Sequence, residues 1–150
     1  NFNSTLSFNT ALVTTMSKMF YQCSNFDKAL SFNTASVITM ESMFYSCVKF
    51  NQNIGGWGVS NVIDFTGMFL GCNLFNNGGS DSIKNWALKT TGTINCTNMF
   101  FAAIAFNQPI LWNTIAVNNM SGFLGYSTAF NQNLGALDVS NVTNFSSGGA

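Results

Sequence analysis

The sequence predicts a repeat solenoid of about 24 residues per rung, made of short parallel β-strands and short α or 3₁₀ turns. Three observations carry this. Six copies open on a phenylalanine, at Phe2, Phe26, Phe50, Phe75, Phe106 and Phe130, spaced 24, 24, 25, 31 and 24 residues apart. The residues after each phenylalanine agree column by column. Most of the 16 phenylalanines fall in those columns, which describes packing rather than chemistry. The predicted rungs are 1–25, 26–49, 50–74, 75–105, 106–129 and 130–150. All six share one period, so they form one domain with one continuous core.

Each copy begins with a short polar segment between apolar residues. The leading phenylalanine is followed by Asn3, Asp27, Asn51, Asn76, Asn107 and Asn131. An aliphatic column follows at Leu6, Leu30, Ile54, Ile110 and Leu134. Then comes an aromatic one at Phe8, Phe32, Trp57, Trp86 and Trp112, with Leu137 in the last copy. This segment reads as a short strand plus a turn, the turn marked by Gly55-Gly56 and Gly135-Ala136. Such strands, stacked at about 4.8 Å, predict a parallel sheet along the axis. The Asn column has two readings. It is a row of groups for a ligand, or a ladder satisfying backbone groups, since Asn bonds local backbone readily. Its regularity favours the ladder.

The second half of each copy starts at a valine column, Val13, Val37, Val62, Val117 and Val142. Val37-Ile38-Thr39-Met40 reads as a short β-bridge. Thr39 and Thr15 then stand where an N-cap would. The apolar residues at 40, 43, 44 and 47 follow i, i+3, i+4, i+7 spacing, which predicts one or two inward-facing turns of α or 3₁₀ helix. A small residue closes the segment: Cys23, Cys47, Cys72, Ala103 or Ser127. The fourth copy is longer, with extra residues near Gly78–Lys84 and Lys89–Gly92. Lengthened surface loops cost little, and in repeat proteins they also mark binding faces. The sixth copy reads Ser-Ser-Gly-Gly-Ala150 after Phe145, with no counterpart of the pair Met19-Phe20, Met43-Phe44, Met68-Phe69 and Met99-Phe100, so the rung frays there or a linker starts.

Composition excludes several function classes. Charged residues are 7%, net charge is zero and His is absent. A neutral chain has no electrostatic footprint for nucleic acid. Without His, the usual acid–base and nucleophile systems are missing, as is the commonest metal ligand. Asp27, Glu41, Asp64, Asp81 and Asp138 are scattered singly, and Gly78-Gly79 lacks the rest of a phosphate loop. No cofactor is expected. No apolar run is long enough for a membrane span. The chain opens on Asn1 with no basic leader, as expected of a mature form or part of a longer polypeptide. Cys23, Cys47 and Cys72 share one column without C-x-x-C spacing, which reads as unpaired thiols filling a small buried slot. Sequons stand at Asn3, Asn95, Asn119, Asn141 and Asn144 as candidate N-glycosylation sites.

Val59-Ser-Asn-Val62, running on to Phe65-Thr-Gly-Met-Phe-Leu-Gly-Cys72, carries a resemblance, as do the Phe-Asn-Gln openings at 50, 106 and 130. The chain resembles the BspA-like leucine-rich repeat surface proteins, also described as the mycoplasma-type lipoprotein repeat or DUF285. Their pattern is close to F-N-Q-x-I-x-x-W-D-V-S-N-V-T-x-M-x-x-M-F-x-x-A/C. The match extends over all six copies. Gly58 in place of Asp, Leu137 in place of Trp, and the fourth copy depart from it. The resemblance implies a leucine-rich-repeat-like, non-enzymatic solenoid, extracellular or displayed on a cell or virion surface, with roles in adhesion or protein binding.

The partner expected is a protein or glycan on another surface. The outward positions between Phe and Ile would hold it, with Lys28, Gln52, Asn53, Gln108, Gln132 and Asn133 as the candidate binding residues. The alternative is a structural subunit of a filament, fibre or viral capsid, assembling by end-to-end or lateral contacts. It is motivated by the absence of polar capping repeats, which solubility usually requires.

Overall fold

The computed structural model describes residues 2–146. Asn1 and the Ser-Gly-Gly-Ala stretch at 147–150, on which the expected fraying or linker falls, lie outside the described residues. Successive copies sit on one another in register. Thr15, Thr39, Asp64, Asn95, Asn119 and Asn144 form an unbroken column of parallel β-bridges. Among the described residues it widens into strands only at β1 (Ile94–Asn95) and β2 (Val117–Asn119), which pair in parallel. The side chain of each column member also accepts the N–H two residues on, as Thr39 does from Glu41 and Asn95 from Thr97. The capping role expected of Thr39 and Thr15 is therefore present, but no helix follows.

Alternating backbone conformation explains why. Lys18, Gln22, Ser42, Ser46, Gly67, Gly71, Asn98, Ala102, Gly122 and Tyr126 all have φ between 53° and 70°. A left-handed residue at every fourth position closes a series of tight turns, such as Met43 N–H to Met40 C=O at 3.1 Å and Cys47 N–H to Phe44 C=O at 2.9 Å. The N–H groups in between point along the axis. Met40, Ser42, Phe44 and Ser46 donate to Asp64, Thr66, Met68 and Leu70 of the next rung, at 2.7–2.9 Å. Equivalent sets of four join the first rung to the second, the third to the fourth and the fourth to the fifth. Every one of these bonds runs from the earlier rung to the later. The segment expected to be helical is thus a ladder of turns. The i, i+3, i+4, i+7 spacing still turns Met40, Met43, Phe44 and Cys47 inward, where all are fully buried.

The Phe–Ile segment, expected to be the sheet, has no strand pairing among the described residues. The Asn column replaces it. Asn3, Asp27, Asn51, Asn76 and Asn107 each present Oδ1 to the backbone N–H of the counterpart one rung on, at 2.8–3.0 Å. The amide oxygen thus does the work of a neighbouring carbonyl, and the acceptor lies in the adjacent rung rather than in local backbone.

The core is a set of ring stacks. Phe2, Phe26, Phe50, Phe75, Phe106 and Phe130 stack at 5.5–5.9 Å. Phe20, Phe44, Phe69 and Phe100 form a second stack at 5.3–5.6 Å, and each of these rings also meets a ring of the first stack at 4.0–4.2 Å. Stacked aromatic pairs add about 0.5–1.5 kcal/mol each beyond their area burial. Cys47 and Cys72 fill the small column and donate Sγ–H to the carbonyls of Phe20 and Phe44 at 2.8 and 2.7 Å. All four cysteines are free thiols.

The fourth rung keeps its core although its spacing is broken. Ile83 and Ile94, both fully buried, occupy the aliphatic and valine columns. The extra residues form 3₁₀ turns at Asn77–Gly79 and Asp81–Asn85. They fold back on the third rung. Ile54 N–H donates to Asn77 Oδ1 at 2.8 Å, and Gly78 N–H to Asn51 Oδ1 at 3.0 Å. A Cβ at Gly55 would lie 2.0 Å from Ser82 Oγ, so only glycine fits beneath this insertion.

One corner departs from the pattern. Asn9, Asn33, Asn113 and Asp138 each accept the N–H two residues ahead. Gly58, in the same column, has no side chain to do so. In the rung below it, Thr34 Oγ1 is buried without a partner, whereas Thr10 and Thr114 donate to the carbonyls of Asn33 and Asp138.

Candidate partner-binding surface

The polar residues expected to meet a partner are largely engaged within the stack. Gln52 donates Nε2 to Asp27 Oδ1 at 2.7 Å. Gln108, which is buried, donates to Asn76 Oδ1 at 2.9 Å, and Gln132 to Asn107 Oδ1 at 3.0 Å. Each glutamine thereby seals the Asn ladder from outside. Asn53 is exposed, but its Oδ1 accepts from Gly55 N–H and from the Ser82 hydroxyl, both at 2.9 Å. Asn133 is exposed, and its Oδ1 accepts Gly135 N–H at 2.7 Å. Lys28 is half-buried. The insertion lies between Gln52 and Gln108, so these residues do not form one continuous face.

The sequons fall on the same scaffold. Asn3, exposed, caps Asp27 N–H. Asn95 and Asn119 are half-buried in the bridge column, and Asn144 is an exposed member of it. Asn141 is exposed, but its Nδ2, the atom a glycan would take, donates to Ile115 C=O at 2.8 Å.

The outer side of the turn ladder differs. Here Tyr21, Tyr45, Leu70 and Phe101 hold one column of four successive rungs, Tyr21 exposed and the others half-buried, and in the fifth rung, where that column is Gly125, the exposed Tyr126 of the neighbouring column extends the stripe. Tyr21 and Tyr45 stack at 4.7 Å, and Phe101 meets Tyr126 edge-on at 5.0 Å. Val48, Leu74 and Ile104 stand exposed at the adjoining corner. The backbone beneath Tyr21, Tyr45, Leu70 and Phe101 is engaged in the ladder, so this part of the stripe offers side chains and no free strand edge. Sequence reasoning missed it because its members occupy outward positions where the columns vary. The signal was that every variant from Tyr21 to Phe101 remains large and apolar.

Electrostatics are sparse. Lys18 pairs with Glu41 at 3.2 Å beside the stripe, and Lys84 pairs with Asp81 on the insertion. Hydrogen bonds from the Ser140 hydroxyl and N–H hold the Asp138 carboxyl below its usual range. Burial pushes the Cys47 thiol up to about 12, with Cys23 adding to the effect, and pushes Cys72 well above its ordinary value. Burial, helped by the Asp64 carboxylate, takes Cys96 to about 12. Thiols so protonated are poor nucleophiles and poor metal ligands. Among the described residues no three Cys, Asp or Glu side chains gather to hold a metal ion, and no helix is long and apolar enough to cross a membrane.

Homologous rungs stacked in register, with their polar columns turned to internal bonding, define a protein whose repeated residues are structural. The chain belongs to the DUF285 family, described as a Mycoplasma protein of unknown function, which matches residues 1–95 and again 78–148. No curated protein and no solved structure matches it.

Proposed function

We propose that this chain is a non-enzymatic solenoid of the BspA-like, leucine-rich-repeat type, displayed outside a cell or on a virion, that binds a protein on another surface. The observation that carries this is the outward apolar stripe from Tyr21 to Tyr126. It is a row of large, uncharged side chains, exposed at Tyr21 and Tyr126, half-buried at Tyr45, Leu70 and Phe101, and edged by the exposed Val48, Leu74 and Ile104. Exposed apolar patches mark interaction sites, and tyrosine is enriched in them. Protein is favoured over glycan because Tyr21 and Tyr45 turn their ring faces to each other, leaving edges and hydroxyls outward. Extended faces that combine many rungs are also how repeat proteins bind.

The test applies fluorescently labelled chain to intact cells and to a printed glycan array. A triple variant, Tyr21→Ser, Leu74→Ser and Ile104→Ser, should keep the wild-type melting curve and lose cell binding. A second variant, Lys28→Ala, Asn53→Ala and Asn133→Ala, should bind like the wild type. Loss in the second variant only would place the site on the opposite face, and a response on the glycan array alone would replace the protein partner.

A further inference from the structure

The insertion of the fourth rung holds a reactive pair of residues under restraint, at the start of its first 3₁₀ turn. We infer that Asn77 is a site of spontaneous deamidation, that the bonds pinning the insertion to the third rung hold the reaction back, and that conversion of Asn77 leaves the insertion open for good.

Asn77-Gly78 is the one Asn-Gly pair in the sequence. With no Cβ beside it, a glycine nitrogen is free to reach the Cγ of the asparagine before it. Gly78 N gives up its proton to solvent base and forms a bond to Asn77 Cγ. The Cγ–Nδ2 bond breaks, and Nδ2 leaves as ammonia. Water then opens the cyclic imide at either carbonyl, which leaves aspartate or isoaspartate at position 77. The reaction consumes a water and releases an ammonia, with no change of oxidation state.

In the closed insertion the reacting groups are all held. Asn77 is fully buried. Its Oδ1 accepts Ile54 N–H at 2.8 Å, and its Nδ2 donates to the Ser80 carbonyl at 2.7 Å and to Ser82 Oγ at 3.2 Å. The nucleophile is held too, since Gly78 N–H donates to Asn51 Oδ1 at 3.0 Å. Ser82 Oγ in turn donates to Asn53 Oδ1 at 2.9 Å. Asn77 Cγ meets Gly78 N only if these bonds are given up, so the insertion must first lift from the third rung. That is a local opening between two buried anchors, Phe75 and Ile83. The product does not fit the closed site. A carboxylate at position 77 has no N–H for the Ser80 carbonyl and would carry its charge into a fully buried place. Isoaspartate also lengthens the backbone there. The opening therefore becomes permanent, and Ile54 N–H is left to solvent.

The test incubates the folded chain at mildly alkaline pH beside a synthetic peptide of residues 74–80. Peptide mapping by mass spectrometry follows aspartate and isoaspartate at position 77. The folded chain should convert about a hundredfold more slowly than the peptide, the scale of a local opening that breaks several hydrogen bonds. Gly55→Ala places a Cβ 2.0 Å from Ser82 Oγ and 2.6 Å from the Ser82 carbonyl carbon, which wedges the insertion up. It should speed conversion by about tenfold. Ser82→Ala removes the hydroxyl between Asn77 and Asn53 and serves as the second variant should Gly55→Ala melt early. Asn77→Asp stands for the product. In hydrogen exchange it should lose protection at Ile54 N–H and keep it at the Phe44 and Phe69 N–H groups of the turn ladder. A folded chain that converts as fast as the peptide, variants that convert no faster than the wild type, or an Asn77→Asp chain with Ile54 N–H still protected would each overturn the inference.

Discussion

Replacing Asn51 with alanine removes one oxygen and leaves two backbone donors without an acceptor. Asn51 Oδ1 accepts Asn76 N–H at 2.8 Å, in a partly buried position, and Gly78 N–H at 3.0 Å, nearer solvent. A net hydrogen bond contributes about 0.5–1.5 kcal/mol, and an unsatisfied buried donor costs more than that mean. The exposed Gly78 group regains water, so Asn51→Ala should cost about 2 kcal/mol in all. For a domain of this size that lowers Tm by roughly 4–8 °C. Asn51→Asp is the control, because Asp27 already holds the same column and accepts Asn51 N–H at 3.0 Å. It keeps the acceptor and should stay within about 1 kcal/mol of the wild type. Urea unfolding followed by tryptophan fluorescence reads both. An alanine variant as stable as the wild type, or an aspartate variant as damaged as the alanine one, would refute the view that the side-chain oxygen substitutes for a strand partner.

Two further outcomes are expected. Gly58→Asn restores the acceptor that Asn9, Asn33, Asn113 and Asp138 supply, since an added Cβ meets Ala35 at an ordinary 3.4 Å. Differential scanning calorimetry should show a gain of about 1 kcal/mol, from that bond and from a less flexible unfolded chain, and no gain would rule the account out. Alkaline pH should destabilise the fold through its thiols. Unfolded Cys96 loses its proton near 9 while the buried thiol holds it to about 12, so the native state binds more protons between those values. Stability from this group is whole below pH 9 and is lost as pH rises, by about 1.4 kcal/mol per unit. The drop in urea midpoint from pH 8 to pH 10 should therefore be smaller in Cys96→Ala, and an equal drop in both proteins would contradict it.

The columns of the core were legible because a buried side chain must recur at each rung. Phe44, Met43 and Cys47 could be assigned inward without knowing the backbone that carries them. That backbone was not legible from apolar spacing, because a ladder of turns and a short helix bury the same four positions. The discriminating sign lay in the outward columns, where Lys18 and Ser42 align with Gly67, Asn98 and Gly122. Glycine and asparagine in one column mark a left-handed residue. Ile83 and Ile94 were missed because inserted residues displaced them from the period; counting back three from Trp86 recovers Ile83, but three back from Cys96 falls on Thr93, because Ile94 meets Val117 across a register shift of one residue. The glutamines read as free ligand groups because sequence does not tell an outward side chain from one folded back along its own rung.

The turn ladder also sets an arithmetic on length. Its N–H groups alternate, one inside its own turn and the next across to the following rung. One added residue would exchange the two sets and aim donors where acceptors belong. From the residue that opens the ladder to the next leading phenylalanine, Met16 to Phe26, Met40 to Phe50, Phe65 to Phe75, Cys96 to Phe106 and Met120 to Phe130, the distance is 10 residues each time. All variation in copy length falls in the other half, which spans 14 residues in three copies, 15 in two and 21 in the fourth. A parity rule in the hydrogen bonding thus divides each rung into a part that does not tolerate a single added residue and a part where loops can grow.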